Sequence, residues 1–179
     1  MCGIVGLHLR DPELYPWLGT LLEAMLIEMT DRGPDSAGIA VYSDDTGLAV
    51  HKGIGRPADV ARGCDLAGTA GWQGLGHTRM ATESAVTVEG CHPFSVGQDQ
   101  CLVHNGSFSN HATIRRELAD AGVTCESLSP TAMPTWTNHR FRQPIPGQRG
   151  VYGTAASRFM AATTRQQSLI IVASSPHDA

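Results

Sequence analysis

At 179 residues with a formal net charge of -4, the chain has the length for one domain built on a single sizeable core. Its acidic balance, with a pI near 6.0, argues against nucleic acid or an anionic membrane as the main partner. No apolar stretch approaches the roughly 20 residues needed to span a bilayer, and the first residues lack the basic region of a signal peptide, so a cytoplasmic setting is expected. Five cysteines at positions 2, 64, 91, 101 and 125 are odd in number and scattered, which fits a reducing compartment rather than a disulfide framework.

The chain opens "MCGIVGLHL". Removal of Met1 would leave Cys2 with a thiol and a free α-amine on one residue, so nucleophile and base would be neighbours. An α-amine titrates at about 7.7 to 8.0 in model peptides, which leaves a useful fraction able to take the thiol proton near neutral pH. Gly3 leaves room beside the sulfur, and Ile4, Val5 and Leu7 suit a buried strand. A strand that merely begins with cysteine is the other reading of these residues.

Leu18, Leu21, Leu22, Met25, Leu26 and Met29 fall at helical spacing, which predicts an amphipathic helix from Pro16 to Asp31 with this stripe in the core. "DRGPDSAG" (31–38) stops it in a tight turn. "GIAVY" (38–42) and "LAVHK" (48–52), separated by "SDDTG", predict a β-hairpin. A short helix is expected from Pro57 to Gly63, and strands at "GLGHTRMAT" (74–82) and "QCLVHNG" (100–106). Ile114, Leu118 and Ala121 mark a further helix, with Gly122 placed to cap it. This order indicates an α+β layered fold.

From about Cys125 the composition changes. Residues 1–125 hold 8 Lys+Arg and 15 Asp+Glu; residues 126–179 hold 5 and 2, with half of the ten prolines. The stretch from 127 to 153 has neither helical nor alternating periodicity and reads as loop or disordered chain. Only "SLIIVAS" (168–174) resembles a strand. Residues 126–179 are therefore read as a divergent or disordered tail.

A terminal thiol that attacks an acyl group needs donors for an oxyanion and a cation for an anionic substrate. Asn105 and Gly106 follow a strand and could present a side-chain amide and a backbone N–H together; an Asn-Gly pair is also an ordinary turn. Arg79, ending a glycine-flanked strand, could grip a carboxylate through two N–H groups, or could be a surface arginine. A metal site at Cys91-His92 or Cys101 and His104 is disfavoured, because residues one or three apart in a strand point to opposite faces. His51, His77 and His111 have no partner readable from sequence and are taken as polar or packing residues.

Taken together, "MCGIVG", "RGPDSAG", "GHTRMAT", "HPF" and "HNGSFSN" resemble the class II glutamine amidotransferases of the N-terminal nucleophile hydrolase superfamily. The match covers residues 2 to about 123, in wording like that of stand-alone glutaminase subunits of glutamate-synthase-like complexes, including N-methylglutamate synthase. The resemblance implies two stacked antiparallel sheets between helical layers (αββα), here incomplete at the C-terminus. It implies that Cys2 attacks the side-chain amide of L-glutamine, giving a glutamyl thioester and ammonia, then glutamate, with ammonia passed to a synthase subunit. No cofactor and no metal are implied. Arg79 would hold the substrate carboxylate with Thr82 assisting, Asn105 and Gly106 would form the oxyanion hole, Arg32 would order the N-terminal site, and His92 would lie in a mobile loop beside it.

The family continues with an acidic motif whose aspartate receives the substrate α-ammonium. Here the matching stretch is "CESLSPTAM", with Glu126 as its acid and no aspartate between Asp120 and Asp178. A shift of reading frame near codon 125 is one account; a divergent tail that folds with a partner is another. Three functions follow: a glutaminase domain, a non-catalytic partner-binding module, or another N-terminal nucleophile hydrolase with an altered pocket. Arg79 speaks for a substrate with a carboxylate in any of them.

Overall fold

The computed structural model describes residues 2–81, 85–95, 100–105, 116, 150–151, 159–163 and 169–174. Its frame is two antiparallel sheets. The first joins β1 (Gly3–His8), β2 (Ser36–Ser43), β3 (Gly47–Ile54) and β4 (Gln73–Arg79) in the order β1-β4-β2-β3. The second joins β5 (Phe94–Ser95), β6 (Gln100–Asn105), β7 (Gly150–Val151), β8 (Phe159–Thr163) and β9 (Leu169–Ser174) in the order β5-β6-β9-β8-β7. Helices α1 (Leu18–Glu28) and α2 (Pro57–Gly63) belong to the first half of the chain.

Alternation along β2 shows how the layers stack. Ile39 and Val41 pack with Val5, Leu18, Leu22, Leu26 and Ala61, which is the layer between the first sheet and the helices. Ala40 and Tyr42, pointing the other way, pack with Trp72, Leu75, Cys101 and Val103, which is the layer between the two sheets. With apolar neighbours on both faces, β2 is buried along nearly its whole length. At α1, small residues on β4 let the helix approach: a Cβ on Gly74 would lie 2.5 Å from Leu22 Cδ2, and one on Gly76 2.9 Å from Leu26 Cδ1.

The hairpin forms as its sequence predicts, in the register Ala40↔Val50, and α2 spans the expected residues. The first helix differs. Pro12–Trp17 is a 3-10 segment whose Asp11 side chain accepts the Glu13 N–H, α1 runs only from Leu18 to Glu28, and a second 3-10 turn covers Thr30–Arg32. Pro16 lacks the N–H that an α-helical turn would use. The buried stripe is correspondingly narrow: Leu18, Leu22 and Leu26 are inside, while Leu21 and Met25 face outward.

Within the tail, the strand expected at 168–174 is β9, paired along its length with β6, and β8 pairs with β9 in turn. Of the helix expected around Ile114, Leu118 and Ala121 only Arg116 is described, and it is helical; Ile114, Leu118 and Ala121 and the stretch from 127 to 149 lie outside the described residues.

Candidate active site

Three strand ends meet around Cys2. The residue is half-buried, directly before β1, and the Asn105 Nδ2 amide at the end of β6 donates to the Cys2 carbonyl oxygen at 3.1 Å. One residue on, the Gly3 N–H donates to Thr78 Oγ1 (3.2 Å), and that hydroxyl donates to the Met29 carbonyl (3.2 Å) beyond the end of α1. The fit is close, since a Cβ on Gly3 would lie 2.7 Å from Thr78 Oγ1 and 2.9 Å from Met29 Cβ. The N-terminal strand is thus held from both sheets and from the helix turn.

Arg79 ends β4 and is buried. The "RGPDSAG" turn wraps its backbone: the Asp35 N–H donates to the Arg79 carbonyl (3.1 Å), and the Asp35 carboxylate accepts the Ala81 N–H (2.7 Å). Gly33 makes the crossing possible, because a Cβ there would lie 2.5 Å from the Arg79 nitrogen. On the other side, Arg79 Nη1 donates to the Gly90 carbonyl at 3.4 Å, a long bond that ties the guanidinium to segment 85–95.

That segment is seated in the first sheet. The register aligns His77, Gly38 and Lys52 in one row across β4, β2 and β3. At the centre of the row, a Cβ on Gly38 would fall 1.9 Å from the His92 carbonyl oxygen, so only glycine admits the chain there. On either side, the His77 ring stacks on His92 (centroids 4.3 Å apart) and the Lys52 ammonium lies 4.7 Å from the Phe94 ring centroid. The His92-Pro93 peptide bond is cis.

His92, expected in a mobile loop, lies outside the strands in the segment before β5, buried with its ring against those of His77 and Phe94. Burial disfavours the imidazolium form: it brings His77 down to about 3 despite a hydrogen bond with the His104 backbone, His104 to about 4, and His92 well below the ordinary histidine value. Neighbouring positive charge on Lys52 and Arg79 acts in the same direction on His92. Burial also lowers Lys52, partly offset by Cys91 and Glu89.

Of the residues singled out in sequence, Cys2, Asn105 and Arg79 lie at the ends of β1, β6 and β4. Thr82 and Gly106 lie outside the described residues. Arg32 ends the 3-10 turn with its side chain exposed; its N–H donates to the Met29 carbonyl that also takes the Thr78 hydroxyl. Thr78, Asp35 and Gly33 lie inside quoted blocks without being singled out there, and His77, taken as a polar or packing residue, is buried against His92. Among the described residues no group of three His, Cys, Asp or Glu side chains could hold a metal ion, and Cys101 instead receives the Tyr42 hydroxyl at 3.4 Å. No helix among the described residues is long and apolar enough to cross a membrane.

Known proteins agree with this architecture. The glutamine amidotransferase-like protein GlxB of Rhizobium meliloti (strain 1021) is 38% identical over 73% of this chain and 67% of its own length. Glutamine--fructose-6-phosphate aminotransferases of Acidithiobacillus ferridurans and Pseudomonas putida are 35% and 32% identical over 82% and 90% of this chain, which spans 23% and 26% of those proteins. The chain belongs to the class II glutamine amidotransferases. The fold agrees: the glutamine phosphoribosylpyrophosphate amidotransferase structure from B. subtilis superposes with a TM-score of 0.53 at 20% identity, covering 96% of this chain and 41% of that one. No protein-family model matches the chain.

Proposed function

We propose that the chain is a glutaminase domain that hydrolyses L-glutamine and passes ammonia to a synthase subunit. The observation that carries the reading is the bond from Asn105 Nδ2 to the Cys2 carbonyl at 3.1 Å, which draws a strong amide donor to the N-terminal thiol. An amide nitrogen has two N–H groups; one tethers Cys2, leaving the second, with the Gly106 N–H, for an oxyanion.

With Met1 removed, the Cys2 α-amine takes the thiol proton and the sulfur attacks the glutamine side-chain carbonyl carbon. A C–S bond forms, and the carbonyl oxygen becomes an oxyanion. Collapse breaks the C–N bond, the amine proton passes to the departing nitrogen, and ammonia leaves a glutamyl thioester. Water attacks the thioester next, giving glutamate and restoring the thiol. Arg79 holds the substrate carboxylate, which takes the place of the Gly90 carbonyl on the guanidinium, and Thr82 assists. Arg32 orders the turn beside Met29, and the buried His92 holds segment 85–95 next to Arg79.

One observation favours a second reading. The stretch between Asp120 and Asp178 holds Glu126 as its sole acid, where the resemblance calls for an aspartate on the substrate α-ammonium. Loss of one charge-assisted contact of about 1.5 to 3 kcal/mol weakens binding roughly ten- to more than hundred-fold. A partner-binding module without turnover fits that change, and residues 126–179 would then be a divergent or frame-shifted tail. Translating the gene in its two other frames tests the tail: an acidic motif with periodic strands in either frame supports a shift, and neither frame showing one ends that account.

Intact mass before and after a glutamine-mimicking diazoketone separates the two functions. The glutaminase reading expects Met1 removed and one adduct on Cys2, suppressed by excess glutamine. A folded protein with Cys2 at its terminus and no adduct refutes it in favour of the binding module.

A further inference from the structure

The outer side of the first helix carries a surface the fold does not use. Leu18, Leu22 and Leu26 are fully buried, whereas Leu14, Trp17, Leu21 and Met25 are 44%, 59%, 42% and 37% exposed. These four are spaced three or four residues apart along the 3-10 segment and α1, which places them in a row on one flank. Single exposed apolar side chains are ordinary, but a continuous row on a solvent-facing helix marks an interaction surface.

The charged residues of the segment that carries the row are all acidic, with the exposed Arg10 and Arg32 just beyond its two ends. From Asp11 to Asp31 the chain holds five acids, Asp11, Glu13, Glu23, Glu28 and Asp31, and no Lys, Arg or His. None of them joins an ion pair among the described residues, where the single pair is Arg62 with Asp59. Glu28 stands in the last turn of α1, which has no basic residue, at the helix end where the backbone dipole disfavours a carboxylate. That placement works against the isolated helix and suits a cation arriving from outside. The row also leads to the candidate active site: one residue past the end of α1, Met29 accepts the Thr78 hydroxyl that holds Gly3.

We propose that Leu14, Trp17, Leu21 and Met25 form a docking surface for a partner protein that presents an apolar helix face edged with Lys or Arg. Charge selects this occupant. A second copy would bring two acidic rims together, and an anionic bilayer would be repelled in the same way. The identification of that partner with the recipient of ammonia rests on the glutaminase reading, but docking itself requires no turnover.

The test uses the full chain with two synthetic helical peptides that share one leucine face, edged with Lys in one and with Glu in the other. The Lys-edged peptide is expected to bind about ten-fold more tightly at low salt, to lose that advantage as salt screens the rim, and to slow amide exchange across residues 14–28. Leu21→Gln, with Trp17→Gln as a second variant should the first not fold, is expected to weaken binding at least several-fold without changing the melting temperature. Equal affinity for both peptides, binding that leaves 14–28 unprotected, or a chain dimer abolished by Leu21→Gln would overturn the proposal. Loss of diazoketone labelling with peptide binding intact would refute the glutaminase reading and leave the docking surface standing.

Discussion

Replacing Gly38 by alanine should open the seat that holds segment 85–95. The added Cβ would meet the His92 carbonyl oxygen at 1.9 Å, the His92 carbonyl carbon at 2.9 Å and Pro93 Cδ at 3.1 Å. The obstructing atoms are mainly backbone, so no rotamer change relieves the clash, and the segment must withdraw by about 1.5 Å to reach ordinary van der Waals separation. Overpacking of this kind costs about 1 to 3 kcal/mol. Withdrawal also pulls His92 off His77 and Phe94 away from Lys52, contacts worth roughly 0.5 to 1.5 kcal/mol each. A total of about 2 to 6 kcal/mol corresponds to a fall of roughly 4 to 24 °C in melting temperature for a domain of this size. Thermal unfolding followed by circular dichroism measures it, with Gly63→Ala as the control because nothing lies within 4 Å of the Cβ position there. If Gly38→Ala melts within a degree or two of Gly63→Ala, the claim that β2 seats the His92 backbone is wrong.

The buried imidazoles make stability depend on pH. His77 is held down to about 3 when folded and titrates near 6.5 when unfolded, so below 6.5 the unfolded chain binds more protons. The contribution is complete above about pH 6.5 and shrinks as pH falls toward 3, by about 2 kcal/mol at pH 5 from His77 alone. His77→Asn should flatten this acid limb in denaturant titrations at pH 7.5 and 5; an unchanged limb would show that the ring does not titrate there. Asn105→Ala removes the Cys2 tether and should slow diazoketone labelling and glutamine turnover about 100- to 1,000-fold, and unchanged labelling would exclude Asn105 from the site. Arg79→Lys keeps the charge but loses the two-pronged grip, so KM for glutamine should rise about ten-fold with a smaller change in kcat; a fall in kcat alone would assign Arg79 to another task.

Much of this protein is local in origin and therefore legible along the chain. The β2–β3 hairpin follows from alternating apolar residues around "SDDTG", and α2 from Pro57 at its start. β4, β6 and β9 follow from short apolar runs between turn residues. The terminal thiol, Arg79 and Asn105 stand out because each sits at the end of such a run within a block that resembles the family; taken alone, each residue also has a plain structural reading. What the sequence could not decide is which neighbours come from far along the chain. Leu21 and Met25 share the spacing of Leu22 and Leu26, yet only the angle at which α1 meets the first sheet decides which of them are covered. His77 and His92 are fifteen positions apart and become a stacked pair because the register aligns His77 with Gly38, the one place in that row where a backbone can enter. The Asn105 bond to Cys2 spans 103 positions and exists because the two sheets bring β1 and β6 together. Periodicity reports what a residue does to its own strand or helix; contacts closed by long loops depend on packing between layers, and that physics appears only in the tertiary structure.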